Sequence, residues 1–448
     1  MNFKAYDSYY DSKINWLNEL PEHWVYSRLK HLVSKKAQYG ANSEPEMNED
    51  KFDYRFIRIT DINDDSSLKE DKVYLNKNDA KDYILDQDDL LFARSGATVG
   101  KTYLYNSKEG PCCYAGYLIR YIPNNNIINP KYLLYYSFTK SYSEWIKYIS
   151  TQATIQNVSA EKYDNLIIPI PPITEQHYIT NYLDKQTSKI NKIITKNNKL
   201  IHLLKEKRDT LINQTVTKGL NPNVPMKDSG IEWIGKIPKH WEVEKIKNIA
   251  QVKPSNIDKK SKDNEPSVLL CNYTDVYNTE FITMDLDFME STASYDQIKK
   301  LSLDVDDIII TKDSESADDI GVPAIVTEKL NNVVCGYHLA VIRPNKNIIH
   351  PKFLFRSFES EKINKQFEYG ANGVTRFGLG TYPINNAYVC QPPINEQSEI
   401  AEYLDIENSR IFETIYKIKK HINLLEEYKT SLIHNVVTGK VDVRGENI

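Results

Sequence analysis

One segment of the chain occurs twice, and this repeat constrains the fold more than any other feature. Residues 171–219 and 392–440 align without gaps at a constant offset of 221 residues. Both copies carry apolar residues at alternating steps of four and three, which is the pattern of a coiled-coil seam. Two unrelated surface helices would not share this register. The repeat therefore predicts two long helices that pair with each other.

The predicted seam contains polar exceptions. These are Asn197, Arg208 and Thr215 in the first copy and Lys429 in the second. Because a buried polar residue costs stability and penalises slipped alignments, we interpret Asn197, Arg208 and Lys429 as residues that fix the register. The apolar residues predicted to form the seam are Ile190, Ile194, Ile201, Leu204, Leu211, Ile411, Ile415, Ile418, Ile422, Leu425 and Leu432.

Proline-containing joints mark the start of each helix. The runs IPIPP and CQPP cannot continue a helix, so Thr174 and Asn395 are expected to supply the N-cap oxygens. Glu175 and Glu396 then fall in the first turn, where the helix dipole favours a carboxylate. The predicted organisation is a domain over 1–172, a helix over 173–220, a second domain over 221–393 and a helix over 394–448.

The two domains show the sequence pattern of mixed α and β structure. Each then continues with a proline that begins an amphipathic helix, in INPKYLLYYSF and IHPKFLFRSF. The predicted fold class is α+β, with two pseudo-repeated mixed domains joined by two long helices that form an antiparallel coiled coil. Runs with strand chemistry occur at 52–62, 88–106 and 116–124, and again at 266–276, 306–327 and 336–345.

A shorter repeat opens each domain. Residues 11–31 match residues 228–248, and the Pro-x-His-Trp sequence ending at Trp24 recurs ending at Trp241. We interpret this turn as a structural clasp that seats the next element. A catalytic role for His23 or His240 has no carboxylate or nucleophile beside it in the sequence to support it.

Composition and charge exclude several classes of protein. The chain of 448 residues is 40% hydrophobic and 26% charged, as in an ordinary globular protein. It has no apolar run of the roughly 18 residues that a membrane span needs and no signal-peptide core, so we expect a cytoplasmic protein. Five cysteines without a CxxC pair predict neither a zinc site nor a disulfide framework. A net charge of −4 allows nucleic-acid binding only through a local basic face.

Motifs for catalysis are lacking in the sequence. GATVGKT at 96–102 has Ser95 where a phosphate-binding loop needs its first glycine, and DDIIITK at 306–312 has Ile310 where a metal-dependent nuclease needs an acid. There is also no glycine-rich S-adenosylmethionine loop and no Asn-Pro-Pro-aromatic motif. The sequence therefore predicts a protein without a reaction centre or a metal site of its own.

Polar loops in equivalent places of the two domains instead favour DNA recognition. Arginine pairs with guanine and Asn or Gln with adenine, whereas Lys and Thr mainly hold phosphates. Tyr148 and Tyr369 lie in two of these loops. The candidate DNA-binding residues are Arg94, Ser95, Lys101, Thr154, Gln156 and Asn157 in the first domain, and Lys312, Asn372, Thr375 and Arg376 in the second.

These features together resemble the specificity subunit of type I restriction–modification enzymes. The resemblance rests on the Trp…Pro-x-His-Trp openings, the ARSGATVGK loop, the INPKYL and IHPKFL segments, the PPITEQ and PPINEQ joints and the two repeated helices. It implies that each domain is a target-recognition domain that reads one half of a split double-stranded DNA target. The second domain departs from the family where KDSESADDIGVP replaces RSGATVG, which leaves Lys312 as the only obvious basic residue of that loop.

The resemblance also implies partners. The paired helices would act as a ruler and as the dock for two methylation subunits, and restriction subunits that translocate and cleave would join this core. S-adenosylmethionine, ATP and Mg would then bind the partner subunits, with no cofactor in this chain. About 34 helical positions span about 50 Å, which fits a non-specific spacer of about one half-turn of DNA. The alternative is a coiled-coil scaffold without sequence-specific DNA binding.

Overall fold

The computed structural model describes residues 4–47, 54–150 and 157–445. Two helices are far longer than the rest: the central helix, Ile173–Lys218, and the C-terminal helix, Ile394–Val437. The chain divides into two compact units. The first comprises Met1–Asn197 with Lys420–Ile448, and the second comprises Asn198–Lys419. Each unit therefore contains one globular region and a part of both long helices.

The first unit builds its globular region from two small sheets. The larger sheet has the order Gln38–Tyr39, Leu118–Tyr121, Leu90–Ala93, Thr102–Leu104, and its pairs are antiparallel. The smaller one has the order Tyr74–Leu75, Tyr54–Ile57, Cys112–Tyr114. The remaining strands form two pairs, Tyr9–Asp11 with Glu19–Pro21 and Val25–Arg28 with Ile167–Ile170. Its short helices are Lys77–Ala80, Pro130–Ser137, Lys140–Ser150 and Ala160–Asp164, with 3-10 turns at Leu29–His31, Ile59–Asp61, Gly96–Thr98 and Ser107–Glu109.

The second unit repeats this plan with a larger sheet. Its five strands have the order Ala250–Pro254, Leu339–Pro344, Ile308–Thr311, Pro323–Val326, Phe281–Ile282. Two three-stranded sheets have the orders Met289–Thr292, Ser267–Cys271, Val333–Cys335 and Asp313–Ser314, Phe377–Leu379, Ala371–Gly373. Two strand pairs are Met226–Asp228 with Lys236–Pro238 and Glu242–Lys245 with Tyr388–Gln391. The short helices are Ile246–Ile249, Tyr273–Asn278, Tyr295–Leu301, Pro351–Phe358, Glu361–Gly370 and Thr381–Asn386, with a 3-10 turn at Ala317–Asp319.

Most predicted elements are present, and two details of the predictions are wrong. Pro130 and Pro351 begin helices, as predicted. The end of the run at 266–276 is helical, because Asp275 accepts a hydrogen bond from the backbone N–H of Asn272 and caps a helix there. Thr174 and Asn395 are not N-caps, since the helices already begin at Ile173 and Ile394.

The seam predictions can be compared with burial within each unit. In the first unit Ile190, Ile422 and Leu432 are buried, and Ile194 and Leu425 are half-buried. In the second unit Ile411 and Ile415 are buried, and Ile201, Leu204, Leu211 and Ile418 are half-buried. All of these predicted seam residues are therefore buried or half-buried in their own unit.

Polar contacts give the direction of the helix pair. In the first unit the amide nitrogen of Asn197 lies 3.2 Å from Nδ1 of His421, and Lys429 Nζ donates to Oδ1 of Asn191 at 3.1 Å. In the second unit the Arg208 guanidinium lies 5.2 Å from the centre of the Phe412 ring. As the contacts advance along the central helix from Asn191 to Asn197 to Arg208, their partners go back along the C-terminal helix from Lys429 to His421 to Phe412. The two helices are therefore antiparallel, as predicted.

A clasp fixes the start of the central helix. Glu175, with 4% of its side chain exposed, accepts hydrogen bonds from Tyr6 Oη at 2.6 Å and Trp24 Nε1 at 3.1 Å. His23 Nε2 lies 2.8 Å from the same carboxylate. Gly439, just past the C-terminal helix, has a φ of +76°, and a Cβ there would lie 2.4 Å from Pro21. The Pro-x-His-Trp turn thus holds the start of one helix and the end of the other.

The second unit has the same clasp. Trp241 Nε1 donates to Glu396 at 3.0 Å, His240 lies 2.9 Å from that carboxylate, and Gly219, with a φ of +76°, packs against the Trp241 ring. The interpretation of this turn as a clasp agrees with these contacts. Neither histidine has a carboxylate beside it in the sequence, but each has one in the fold. Glu175, 152 residues away, lies beside His23, and Glu396, 156 residues away, lies beside His240.

Candidate nucleic-acid interface

In the first unit two predicted loops meet at one surface. The loop from Arg94 to Lys101 connects the strands Leu90–Ala93 and Thr102–Leu104 and includes one 3-10 turn. Ser95 forms a β-bridge with Asn157, and the backbone N–H of Val158 donates to the carbonyl of Arg94 at 2.8 Å. Arg94, Ser95 and Asn157 are therefore neighbours in space. Thr154 and Gln156 lie outside the described residues.

Arg94 is held by an aromatic ring. Its guanidinium carbon lies 4.7 Å from the centre of the Tyr39 ring, a distance typical of a cation–π contact. Its Nε donates to Oδ1 of Asn157 at 3.4 Å, near the upper limit for a hydrogen bond. Within the described ranges no carboxylate forms an ion pair with Arg94. The positive charge of this side chain is therefore available to a ligand.

Lys101, at the other end of the loop, is already engaged. Its Nζ lies 2.7 Å from Oδ1 of Asp64 and donates to the carbonyl of Ile62 at 3.2 Å. An exposed ion pair of this kind contributes little stability, but it offsets the lysine charge. The structure thus distinguishes two residues that the sequence presented as equivalent flanks of one loop.

The second unit also brings its two predicted loops together. Asp313 pairs with Gly378, and Gly378 pairs with Asn372, so the loop after Ile308–Thr311 joins the hairpin of 371–379 in one small sheet. Asn372, Thr375 and Arg376 are exposed on this hairpin.

Lys312 lies at the position that corresponds to Arg94. Its Nζ is 5.3 Å from the centre of the Tyr337 ring and 4.0 Å from Oδ2 of Asp313. Asp313 also lies 2.6 Å from Nδ1 of His338. Exposed Glu315 and Asp318 follow in the same loop. This surface is therefore less positive than its counterpart around Arg94.

Exposed tyrosines at these surfaces were missed by the sequence analysis. Tyr39 is 42% exposed, Tyr117 60% and Tyr337 48%. Tyr117 and Tyr337 follow the glycines of two matching runs, GYLIRY and GYHLAV, so their repetition was a usable signal. Tyr39 had no signal in the sequence, because its contact with Arg94 depends on the pairing of Gln38–Tyr39 with Leu118–Tyr121.

The described residues include neither a metal-ligating cluster nor an exposed thiol. Among them no group of three or more His, Cys, Asp or Glu side chains is arranged to hold a metal ion. All five cysteines are free and buried, and burial raises the pKa of Cys112 to about 11 and of Cys113 to about 12. In the ranges that the structure covers, no helix has both the length and the apolar character of a membrane span.

Comparison with known families agrees with this architecture. The family described as the type I restriction modification DNA specificity domain matches residues 21–203 and 238–424, so each match includes one globular region and most of one long helix. The chain belongs to this family. It is a DNA sequence-specificity subunit of the type I restriction–modification class, which is not itself catalytic.

Individual relatives are similar over nearly the whole chain. A provisionally assigned MjaX specificity subunit of a type I restriction enzyme from Methanocaldococcus jannaschii is 26% identical over 444 residues, covering 96% of both chains. A chain from a structure of type I restriction–modification complex assembly has a TM-score of 0.71 at 12% identity, covering 96% of this chain and 99% of that one. The HsdS subunit from Thermoanaerobacter tengcongensis has a TM-score of 0.53 at 13% identity, with 94% and 98% covered. These two structures share the fold of this specificity subunit.

Proposed function

We propose that each globular region of this specificity subunit reads one half of a split double-stranded DNA target. The observation that carries this proposal is the meeting of two polar loops in each unit, at Ser95 with Asn157 and at Asp313 with Gly378. Such loops can present several side chains to base edges and phosphates at once. Two units that differ in these loops, Arg94 in one and Lys312 in the other, would read different half-targets.

The ten candidate contact residues belong to this proposal. Arg94, Asn157, Asn372, Thr375 and Arg376 are its best-supported members, because their side chains are exposed or half-exposed at the converging loops. Lys101 is the weakest member, because Asp64 already holds its charge.

The long helices would set the spacer and dock the partner subunits. Their antiparallel pairing and the two clasps that fix their ends support a ruler of constant length. Two methylation subunits fit a chain that repeats its plan twice, and restriction subunits would join them. We further propose that S-adenosylmethionine, ATP and Mg bind those partners and that the complex works in the cytoplasm, where its DNA target lies. The boundaries 1–172, 173–220, 221–393 and 394–448 remain our proposed division.

A gel-shift titration across a salt series, with methylation subunits present, tests this function. We expect steep loss of affinity with salt and a preference for one split sequence. Replacing exposed Arg376 by alanine should lower the salt slope by about one if Arg376 holds a phosphate. Lys365→Ala is the matched control, because Lys365 is exposed in the same unit but paired with Glu368 at 2.9 Å. Binding that ignores both salt and sequence would favour the scaffold alternative.

A further inference from the structure

We propose that Arg94 reads a guanine in the half-target of the first unit and that Tyr39 is the residue that positions it. This inference rests on the proposed function. It goes further because it assigns a base to one side chain and a supporting role to a second residue that the sequence did not suggest.

Two contacts restrain the guanidinium. Its carbon lies over the Tyr39 ring, 4.7 Å from the ring centre, and Nε donates to Oδ1 of Asn157 at 3.4 Å. Both supports are themselves held in place. Tyr39 Oη accepts a hydrogen bond from the backbone N–H of Ala160 at 3.0 Å, and Tyr39 pairs with Ile119 in the sheet.

The main chain of Arg94 is fixed as well. Its N–H donates to the carbonyl of Tyr117 at 3.0 Å, and its carbonyl accepts from the N–H of Val158 at 2.8 Å. Neither Nη1 nor Nη2 donates a hydrogen bond to any other described residue. A planar pair of donors is therefore presented on a fixed base, with no carboxylate of the described residues paired to it.

This arrangement suits a base edge better than a phosphate. A phosphate needs mainly a positive charge, which a mobile lysine or arginine supplies. Guanine presents two acceptors, O6 and N7, in the major groove, and a guanidinium can donate to both in one plane. Stacking on a ring reduces the entropy lost when those two bonds form. Tyr39 and Asn157 both restrain the Arg94 side chain, and this restraint favours the directional contact with guanine.

At the position that corresponds to Arg94 the second unit has a lysine. Lys312 carries a single ammonium group near Tyr337, with the carboxylate of Asp313 beside it. An ammonium group cannot offer the planar pair of donors. At this loop position, recognition of guanine by a planar pair of donors is therefore expected in the first unit and not in the second.

The test compares Arg94→Lys, Arg94→Gln, Tyr39→Leu and Tyr39→Phe in the assembled complex with methylation subunits. The measurement is the relative methylation of a DNA library that carries every base at each position of the target. For both Arg94 variants we expect discrimination at one G·C pair of the first half-target to fall by about 5- to 150-fold. Discrimination in the second half-target should not change. Tyr39→Leu should lower discrimination at the same pair, and Tyr39→Phe should restore most of it by keeping the ring.

The outcomes separate this inference from the proposed function. A uniform loss of methylation with unchanged base preference would identify Arg94 as a phosphate contact and overturn the inference alone. A first half-target without any G·C pair would also overturn it. Equal discrimination by Tyr39→Leu and Tyr39→Phe would remove the positioning role. If the wild-type complex selected no split sequence, the proposed function itself would fail. If the Arg94 variants do not fold, the comparison of Tyr39→Leu with Tyr39→Phe still tests the inference.

Discussion

Glu175 shows how one side chain can join distant parts of the chain. It is almost completely buried, and it accepts hydrogen bonds from Tyr6 and Trp24 with His23 also in contact. Burial, followed by the hydrogen bond to Glu175, raises the pKa of Tyr6 above its ordinary value, so Tyr6 remains a donor at physiological pH. A buried carboxylate is tolerated because several donors satisfy it.

We predict that Glu175→Ala lowers the free energy of unfolding of the first unit by about 1–3 kcal/mol, because the buried Tyr6 and Trp24 donors lose their acceptor. Glu396→Ala is the matched variant in the second unit. It should cost less, since the Glu396 side chain is 27% exposed and water can replace it. Urea unfolding, followed by the fluorescence of the clasp tryptophans, measures both. An equal loss for the two variants would contradict this account.

At the residue level the sequence predicted the parts of the clasp but not their contact. The Pro-x-His-Trp repeat and the acidic first turn were both visible. Nothing in the sequence, however, relates His23 to Glu175, because the contact is made only when the Val25–Arg28 and Ile167–Ile170 strands pair. The contact of Arg94 with the Tyr39 ring was not predicted, for the same reason. Contacts between side chains depend on strand pairing, which periodicity does not specify.

Among the elements, the helices Pro130–Ser137 and Pro351–Phe358 occupy matching places but join their long helices differently. Arg356, only 1% exposed, pairs with Asp405 of the C-terminal helix at 2.9 Å, with Glu280 at 3.1 Å and with Glu359 at 2.7 Å. Arg208 of the central helix pairs with the same two glutamates. Arg208 therefore binds acids of the globular region, and its predicted role in the helix register gains no support from these contacts.

The first unit has an open cleft of about 740 Å³ at the corresponding place. Tyr135 replaces Arg356 there and donates to Asp184 at 2.8 Å, and Lys429 replaces Arg208. Phe138 lies where the second unit has Glu359. The cleft is lined by these residues together with Asp64 and Asp65, among others. Both units keep one ion pair to the long helix, Lys131–Asp184 and Lys352–Asp405. They differ in the further contact, which is an arginine network in the second unit and a tyrosine hydroxyl in the first.

We predict that Arg356→Met reduces the stability of its helix by about 3 kcal/mol, because the acids Glu280, Glu359 and Asp405 would lose their shared buried cation. The loss should not be larger, since Arg208 still pairs with the two glutamates and Lys352 with Asp405. Tyr135→Phe, the matched change in the first unit, should cost about 0.5–1.5 kcal/mol, the value of one hydrogen bond. Hydrogen exchange of the Pro351–Phe358 and Pro130–Ser137 amides reports each effect locally. Similar protection losses in the two helices would show that the network adds no more than a single hydrogen bond.

The sequence predicted the two long helices more completely than any other element. The direction of their pairing does not follow from apolar spacing, but their repeat and the fact that they pair do. Their first residues were not predicted, because the N–H of Gln176 already donates to the carbonyl of Pro172, and that of Gln397 to Pro393. The second proline of each pair thus occupies the N-cap position, two residues before the polar residue that was expected to cap the helix.

For the whole molecule, one plan occurs twice within a single chain. Each unit has its own core, its own clasp and its own pair of converging loops. The sequence allowed this duplication to be predicted because the clasp and helices repeat at nearly constant offsets. The bases that each unit reads could not be predicted, since base recognition depends on loop geometry rather than on the spacing of residues.

Replacing residues 32–170 by the corresponding segment of another specificity subunit tests the central claim most directly. The clasp residues Tyr6, His23, Trp24 and Glu175 lie outside this segment, so the joint to the helices is kept. The measurement is the methylated sequence motif in cells that carry the methylation subunits with either chain. We predict that one half of the split target changes, while the other half and the spacer stay the same. A change in both halves, or in neither, would contradict the claim that each unit reads its own half-target.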